Sequence, residues 1–503
     1  MRGNRPCALR GIRRGRKRHL FPNRKPEPVP AHCAPATAPL TMGRRRRHFA
    51  GMGVTMHASL PESGATRHRI VIVGGGAGGL ELASALGRGP GRRRQADIVL
   101  VDSHMSHLWK PLLHEVAAGT LLTHEDEVNY QVQAHHSGFI FRLGRMDRLD
   151  RGRRRIEIAP SIDAAGREYI PRRGIEYDTL ILAVGGVTDD FGTDGVAEHC
   201  YFLDHYEQSH DFHRHLLSNC YLAQTEQGER PPGRLHIAVA GAGATGLELA
   251  AELHSSLRLL VDYGLDRIQP DRDIRITIIE AAERILPALP ERCSRAVTAQ
   301  MQNLGIQMLM GERVVRATPE GFATDSGRFV PAELKVWAAG IKAPEFVKEL
   351  DGLETDRRNR LLVQRTLQTT RDPDIYALGD CAACPWPQHE EPVPPRAQAA
   401  HQQAQFLVKA MKRRLRGRPP PLYSYRDYGT LINMSRYSTI GNLMGNFARR
   451  WRASIFMEGV LARLFYLSLY KAHQVALLGM LPVVIRTLTD LLLRQLKPPV
   501  KLH

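Results

Sequence analysis

"VGGGAGGLELASAL" (residues 73–86) and "AGAGATGLELAAEL" (residues 240–253) are nearly the same phrase, placed 167 positions apart in one chain. Each follows a short β-branched run, "RIVIV" (69–73) and "LHIAV" (235–239), of the kind that forms a strand buried on both faces. Each then satisfies G-x-G-x-x-G, at Gly74, Gly76 and Gly79 and again at Gly241, Gly243 and Gly246. In such a turn the first glycine allows the tight bend and the second lets backbone approach a pyrophosphate. The third lets helix pack on strand. The free N–H groups of the helix that follows then receive phosphate charge. Each unit also has a second strand ending in an acid: "ADIVLVD" stops at Asp102 and "IRITIIE" at Glu280, the latter delayed by an inserted "VDYGLDRIQPDRD". A carboxylate there suits a pair of ribose hydroxyls and repels a 2′-phosphate, so Glu280 favours NADH over NADPH. One such turn is a weak signal. Two, each with its acid, predict an α/β fold with two Rossmann-like dinucleotide-binding domains.

The chain's 503 residues exceed one ordinary core and suggest two to three domains. Its 43% hydrophobic and 24% charged content fits a globular protein rather than a disordered one. The net charge of +19 resembles a nucleic-acid signature until it is located. Residues 1–56 hold fourteen Lys/Arg and a single acid, Glu27, so most of the excess belongs to a tail. That tail, with "RRGRKRH" and "GRRRRH", has no apolar periodicity and is expected to be disordered. It fits a transit peptide poorly, having almost no Ser and no amphipathic pattern. It could be a basic arm for nucleic acid or anionic lipid. The preferred reading is that translation begins at Met52 or Met56; no nucleic acid is expected for the catalytic body. No apolar leader with a cleavage site occurs, and seven scattered cysteines, an odd number, make no disulfide framework. A reducing compartment is the default. No metal site is expected: the lone CxxC, Cys381–Cys384, lacks a second ligand pair. It reads as two buried small residues.

A third segment, "TTRDPDIYALGDCA" (369–382), runs from a turn through an apolar strand to Gly379 and Asp380. It resembles the ribityl-binding motif of two-dinucleotide-domain flavoproteins. "YDTLILAVGG" (177–186) and "LKVWAAGI" (334–341) resemble the strand–turn motifs that close the two halves of that superfamily. The resemblance implies FAD in the first turn, NADH in the second, and an FAD domain interrupted by the NAD domain. Disulfide reductases of that superfamily carry a cysteine pair after the first strands. Here the corresponding "SHLWKPLLHEVAAGT" has none.

"PPRAQAAHQQA" (394–404) starts a helix at Pro394–Pro395 and spaces Gln398, His401, Gln402 and Gln405 at i, i+3, i+4 and i+7 on one face. Neutral amides suit the carbonyl oxygens of a quinone, and a polar solvated face suits the spacing equally well. These residues resemble the AQxAxQ quinone-site motif of type II NADH dehydrogenases, single-subunit non-pumping NADH:quinone oxidoreductases. "VDSHMSHLWKPLLHEVAAG", "IIEAAERILPALP", "VWAAGIKAPE" and "YSTIGNLMG" read like the same family, over essentially residues 68–495. The resemblance implies noncovalent FAD, hydride transfer from NADH and two-electron reduction of a membrane quinone, ubiquinone first. It assigns Gly74, Gly76, Ala77, Gly79, Asp102, Lys110, Ala183, Gly185, Gly379, Asp380, Gln398 and Ala399 to FAD. It assigns Gly241, Gly243, Ala244, Thr245, Gly246, Glu248, Glu280, Ala339 and Gly340 to NADH. Gln398 and Gln402 would border the quinone, and Glu248 would lie near nicotinamide and quinone. Glu81, its equivalent in the first repeat, reads as an ordinary helix acid.

A quinone reductase must reach a bilayer, yet no run of 18 apolar residues exists. Residues 455–496 instead alternate apolar runs with charges. Arg486, Asp490, Arg494 and Lys497 fall on one side of the last segment, with Leu488, Leu491, Leu492 and Leu496 broadly opposite. That suits a helix lying in the headgroup plane. "KRRLRGR" (412–418) and "ARRWR" (448–452) would be drawn to an anionic surface. A helical hairpin packed on the body or a homodimer interface fits the same stripes. The expected organisation begins with a basic extension (1–67) and the first segment of the FAD domain (68–190). The NADH domain (191–353), the second segment of the FAD domain (354–435) and a membrane-associating region (436–503) follow. The expected location is peripheral, on the cytoplasmic face of the membrane. Two rivals remain. One is a sulfide:quinone oxidoreductase, using Cys200 and Cys293, which would not need the second turn. The other is a non-enzymatic NADH-responsive flavoprotein with a nucleic-acid tail. Replacing Glu280→Gln should relax the exclusion of NADPH; an unchanged NADH/NADPH ratio of kcat/KM would remove the role given to that carboxylate.

Overall fold

The computed structural model describes residues 67–121, 126–163, 165–225, 232–444, 454–493 and 500. Strand β1 (His68–Val73) passes through the first glycine turn into helix α1 (Ala77–Leu86). Strands β2 (Ala96–Asp102), β3 (Ile140–Leu143) and β4 (Thr179–Leu182) lie parallel to it, in the order β4-β1-β2-β3. A short helix, α2 (Leu113–Ala118), follows β2. The second half repeats the plan with β5 (Leu235–Ala240), helix α3 (Ala244–Asp262), β6 (Ile274–Glu280), β7 (Gln307–Met310) and β8 (Leu334–Trp337). Their order is β8-β5-β6-β7, again parallel. Three-stranded antiparallel sheets precede both closing strands: Met146–Asp150, Arg155–Ile158 and Arg173–Glu176 before β4, and Val314–Thr318, Gly321–Thr324 and Phe329–Pro331 before β8. The chain then returns, and β9 (Ile375–Ala377) pairs with β4 at the edge of the first sheet. That sheet is therefore assembled from both sides of the second.

Both central strands are covered on two faces, which is why their sequences are continuous apolar runs rather than alternating ones. Ile70, Val71 and Ile72 are wholly buried, as are Ala238 and Val239. Burying each such aliphatic side chain contributes about 1.5–3 kcal/mol before entropy is counted.

The two turns need glycine for different reasons at each position. Gly74 and Gly241 hold φ at +103° and +109°. A Cβ on Gly79 would lie 1.9 Å from the carbonyl oxygen of Gly74, and one on Gly246 would lie 2.1 Å from that of Gly241. A Cβ on Gly76 or Gly243 would meet nothing within 4 Å.

Helix α4 (Ala397–Arg414) begins directly after the double proline and lies across α1. Gly78 makes that approach possible: a Cβ there would stand 2.4 Å from Leu378 Cδ1 and 3.1 Å from the Ala400 carbonyl oxygen. Beyond it, β10 (Gly429–Met434), β11 (Ser438–Met444) and β12 (Ser454–Glu458) form an antiparallel sheet. The domain boundary expected after residue 435 falls at the tip of the β10–β11 hairpin. Ile432 and Ile440 pair across it and are both fully buried, so the two stretches form one unit.

Helices α5 (Val460–Leu478) and α6 (Met480–Leu493) complete the described chain. Among the described residues, no helix is long and apolar enough to cross a membrane. The basic runs of the tail, Cys7 and Cys33, the run "ARRWR", Arg494, Leu496 and Lys497 all lie outside the described residues. Gly79→Ala forces backbone apart and should lower the melting temperature by roughly 5 °C or more, whereas Gly76→Ala should leave it within about 2 °C. Thermal melts of the two variants make the comparison.

Candidate active site at the two glycine turns

The acid at the end of each second strand clamps its own turn. Asp102 Oδ2 accepts from Gly75 N–H at 2.6 Å and Oδ1 from His104 N–H at 2.8 Å. Glu280 repeats this with Ala242 N–H at 2.7 Å and Ala282 N–H at 2.9 Å. A carboxylate offers about four lone-pair sites, so each acid keeps acceptor capacity for a ribose. Neither α1 nor α3 has a side-chain N-cap or an acid in its first turn. Their first N–H groups thus stay available to an anion beneath the open space at Gly76 and Gly243. Thr245 is exposed at the second of these helix starts. The residues present fit a dinucleotide pyrophosphate at both turns.

Around the first turn, Ala183 N–H donates to the Val73 carbonyl at 2.7 Å, and its own carbonyl lies against Gly74. Gly185 and Gly340 end the two closing strand–turns with φ of +70° and +75°. Ala339 packs at the edge of a small buried cluster around Trp337. Lys110 Nζ donates to the Gly186 carbonyl at 2.7 Å and pairs with Asp204 at 3.3 Å. Burial pushes the Asp380 carboxyl above its usual range, opposed by the charges of Lys110 and Arg360. Gly379 N–H donates to Gln403 Oε1 at 2.7 Å. Gln403, 1% exposed on α4, is a residue that sequence spacing did not single out.

The glutamine face splits in two. Gln398 Nε2 donates to the Gly429 carbonyl at 2.9 Å, and its Oε1 accepts from Tyr428 N–H at 3.2 Å. Gln402 exchanges two bonds with the backbone of Arg426, at 2.8 and 3.0 Å. Arg396 holds Asp427 of the same segment at 3.2 Å. These amides fasten the strap 426–429 to the start of α4. His401, expected on that face, turns instead toward Glu81 of α1, and Gln405 bonds the other ring nitrogen of His401. The 100° step per residue places His401 at the edge of the face, where α1 lies against the helix.

Glu81 is not the ordinary helix acid its sequence suggests. It is 4% exposed and accepts hydrogen bonds from two histidines. Its repeat counterpart Glu248 is also buried, and its Oε1 accepts from Asn433 N–H at 2.9 Å. His114 of α2 lies between two acids, with Nδ1 3.9 Å from Glu248 and Nε2 3.9 Å from Glu115. Burial pushes Glu248 and Glu115 up to about 8, with Glu252 adding repulsion at both, and pushes His114 down to about 4. Acids held protonated near neutrality, in and beside the helix that follows the second glycine turn, can deliver a proton to a developing oxyanion.

Helices α5 and α6 are inside out. Tyr470 and Arg486 bond Asp126 on the body at 2.8 and 3.0 Å, while Arg88 and Gln133 cap the Leu477 carbonyl, both at 2.9 Å. Outward stand Val460, Leu461 and Leu464, then Met480, Leu481, Leu488, Leu491 and Leu492, each more than half exposed. Cys381 and Cys384 are free thiols that burial raises to about 12, and Cys200 and Cys293 are likewise free.

Residues 68–404 match the pyridine nucleotide-disulphide oxidoreductase family. A type II NADH:quinone oxidoreductase of Haemophilus influenzae is 39% identical over 447 residues, covering 86% of this chain and 99% of that protein. One from Staphylococcus aureus is 26% identical over 385 residues, covering 75% and 90%. The structure of NDH2 from Plasmodium falciparum in complex with NADH overlays with a TM-score of 0.70 at 18% identity, covering 86% of this chain and 100% of that one. A sulfide:quinone oxidoreductase of Aquifex aeolicus overlays at 0.64 with 17% identity, covering 85% and 96%. At these identities the two overlays speak to fold.

A carboxyl whose pKa rises from 4.5 to about 8 on folding binds protons in the folded state, so stability falls as pH climbs across that interval. Glu115→Gln should therefore raise the melting temperature at pH 8.5 by roughly 2–4 °C and leave it nearly unchanged at pH 4.5. Equal shifts at both pH values would show that Glu115 titrates normally.

Proposed function

The chain belongs to the type II NADH:quinone oxidoreductases, and on that footing we propose how its regions divide the work. NADH lies at Gly241, Gly243, Ala244, Thr245 and Gly246, with Glu280 on its ribose and Ala339–Gly340 closing the pocket. FAD lies noncovalently at Gly74, Gly76, Ala77 and Gly79, with Asp102 on its ribose and Lys110, Ala183, Gly185 and Asp380 along it. The matched pair of turns supports two bound dinucleotides: each has an uncapped helix start, an open space at its second glycine, and an acid spanning the turn. The division between them rests on the return of β9, which leads Gly379 and Asp380 to the edge of the first sheet and favours FAD at the first turn. When bound, FAD supplies the acceptance of hydride and the release of two electrons, which no side chain here supplies.

The chain's own residues bind and orient. Both nucleotides are held on helices anchored in one body, so the reaction becomes intramolecular. Gln398 and Ala399 mark the start of α4 at the flavin, and Gln398 and Gln402 shape the quinone entrance by holding the strap 426–429 in place. Glu248, buried and protonated near neutrality, is placed to give a proton where a quinone oxygen gains charge.

The acceptor is a membrane quinone, with ubiquinone the first candidate. The outward apolar faces of α5 and α6 support docking in the interface of a bilayer, and exposed Lys412, Arg416 and Arg418 support a preference for anionic lipid. NADH must reach the second turn, which favours the cytoplasmic face. Each chain carries both turns, so a homodimer and a single chain would work alike. The test is steady-state NADH oxidation with a short-chain quinone on purified, FAD-loaded protein, with stopped-flow spectra of the flavin. NADH should bleach the flavin band, the quinone should restore it, and sulfide should do neither; bleaching by sulfide would transfer the assignment to the rival chemistry.

A further inference from the structure

Glu81 lies on α1 just past the first glycine turn, and no step of the proposed reaction uses it. Its Oε2 accepts from His401 Nδ1 of α4 at 2.6 Å, and its Oε1 from His473 Nδ1 of α5 at 2.6 Å. His473 is 3% exposed, lies against Trp109 with ring centroids 4.1 Å apart, and meets His107 Nε2 through its own Nε2 at 3.1 Å. Bonded side chains from α4 and α5 therefore converge on α1 at a residue two positions past Gly79, the last glycine of the turn.

A buried carboxylate is costly unless both oxygens are satisfied, and here two imidazoles from two different helices satisfy it. Although burial pushes the Glu81 carboxyl up, the bonds from His401 and His473 hold it below its usual range. Both bonds close together only when α1, α4 and α5 stand in one arrangement. Helix α5 meets the body along a narrow strip that includes Ala462, His473 and Leu477, and its opposite face is the apolar one.

We propose that Glu81 and His473 are positioning residues for the flavin nucleotide: they tie the glycine turn and α4 to α5, so that lipid on the outer face of α5 and FAD at the turn strengthen each other's binding. The inference rests on the reading that the first turn holds FAD and that α5 and α6 dock on a membrane. A helix ordered by lipid leaves less to be ordered when FAD binds, and linkage makes the gain reciprocal.

The experiment titrates FAD into apo-protein by flavin fluorescence, with and without vesicles of mixed zwitterionic and anionic phospholipid, and measures vesicle co-sedimentation with and without FAD. For the unsubstituted protein, vesicles should tighten FAD about fivefold, and FAD should tighten vesicle binding by the same factor. Glu81→Leu and His473→Leu should weaken FAD about tenfold and reduce the mutual gain to about one, while vesicle binding persists. Glu81→Gln can still bond both imidazoles and should recover most of the FAD affinity. His401→Ala removes a ring at a partly exposed position, and should weaken FAD about threefold even if the leucine variants fail to fold. FAD affinity unchanged in Glu81→Leu or His401→Ala, or a lipid gain in the variants equal to that of the unsubstituted protein, overturns the proposal. Unsubstituted protein that ignores vesicles removes the membrane reading and the coupling together, while the FAD loss in Glu81→Leu is read separately and decides the positioning role.

Discussion

The carbonyl oxygen of Gly74 occupies nearly the place where residue 79 would carry a Cβ, and Gly241 stands in the same relation to residue 246. That distance, shorter than any side chain tolerates, lets a helix start almost on top of the strand that feeds it. With the helix so close, its first N–H groups open over the sheet edge, and the acid of the neighbouring strand can reach back to the turn's own amide. Open space, free donors and clamping acid all follow from one close approach, made twice. The remaining architecture keeps these two sites in one body.

The two copies have diverged in what their helix acids fasten. In the first repeat Glu81 reaches α4 and α5, elements that come after both repeats in the chain. In the second, Glu248 reaches the backbone of Asn433 on the β10 hairpin and faces His114 on α2. Segments outside the repeated units are thus held by carboxylates at the same repeat position. This explains why a buried position two residues past each turn keeps an acid in both helices.

The sequence made the turns, the strand-ending acids, the return of the Gly379 segment and the helix after Pro394–Pro395 legible, because each depends on neighbours within a few residues. Identical spacing in two halves carried the fold. What it could not carry were partners distant in the chain. His401 looked like a companion of Gln398 and Gln402, but its partner Glu81 lies 320 positions away. The Gln398 and Gln402 amides meet a strap whose own sequence has no marked pattern. The ionisation of Glu115 depends first on its burial and then on three carboxylates and an arginine brought together by packing. The only advance sign of Glu81's role was its equivalence to Glu248, and that equivalence was equally compatible with an idle surface acid.

The doubly bonded acids at Asp102 and Glu280 constrain how cofactor preference could be redesigned or could drift. Each carboxylate belongs to the turn's own framework, since its loss frees an amide within the glycine bend. A change of preference made at that residue alone would therefore loosen the seat for every dinucleotide at once. A lineage moving toward a phosphorylated nicotinamide cofactor would find less resistance just beyond the strand, at Ala281 or Ala282. There a new cation could be added while the acid kept the bend.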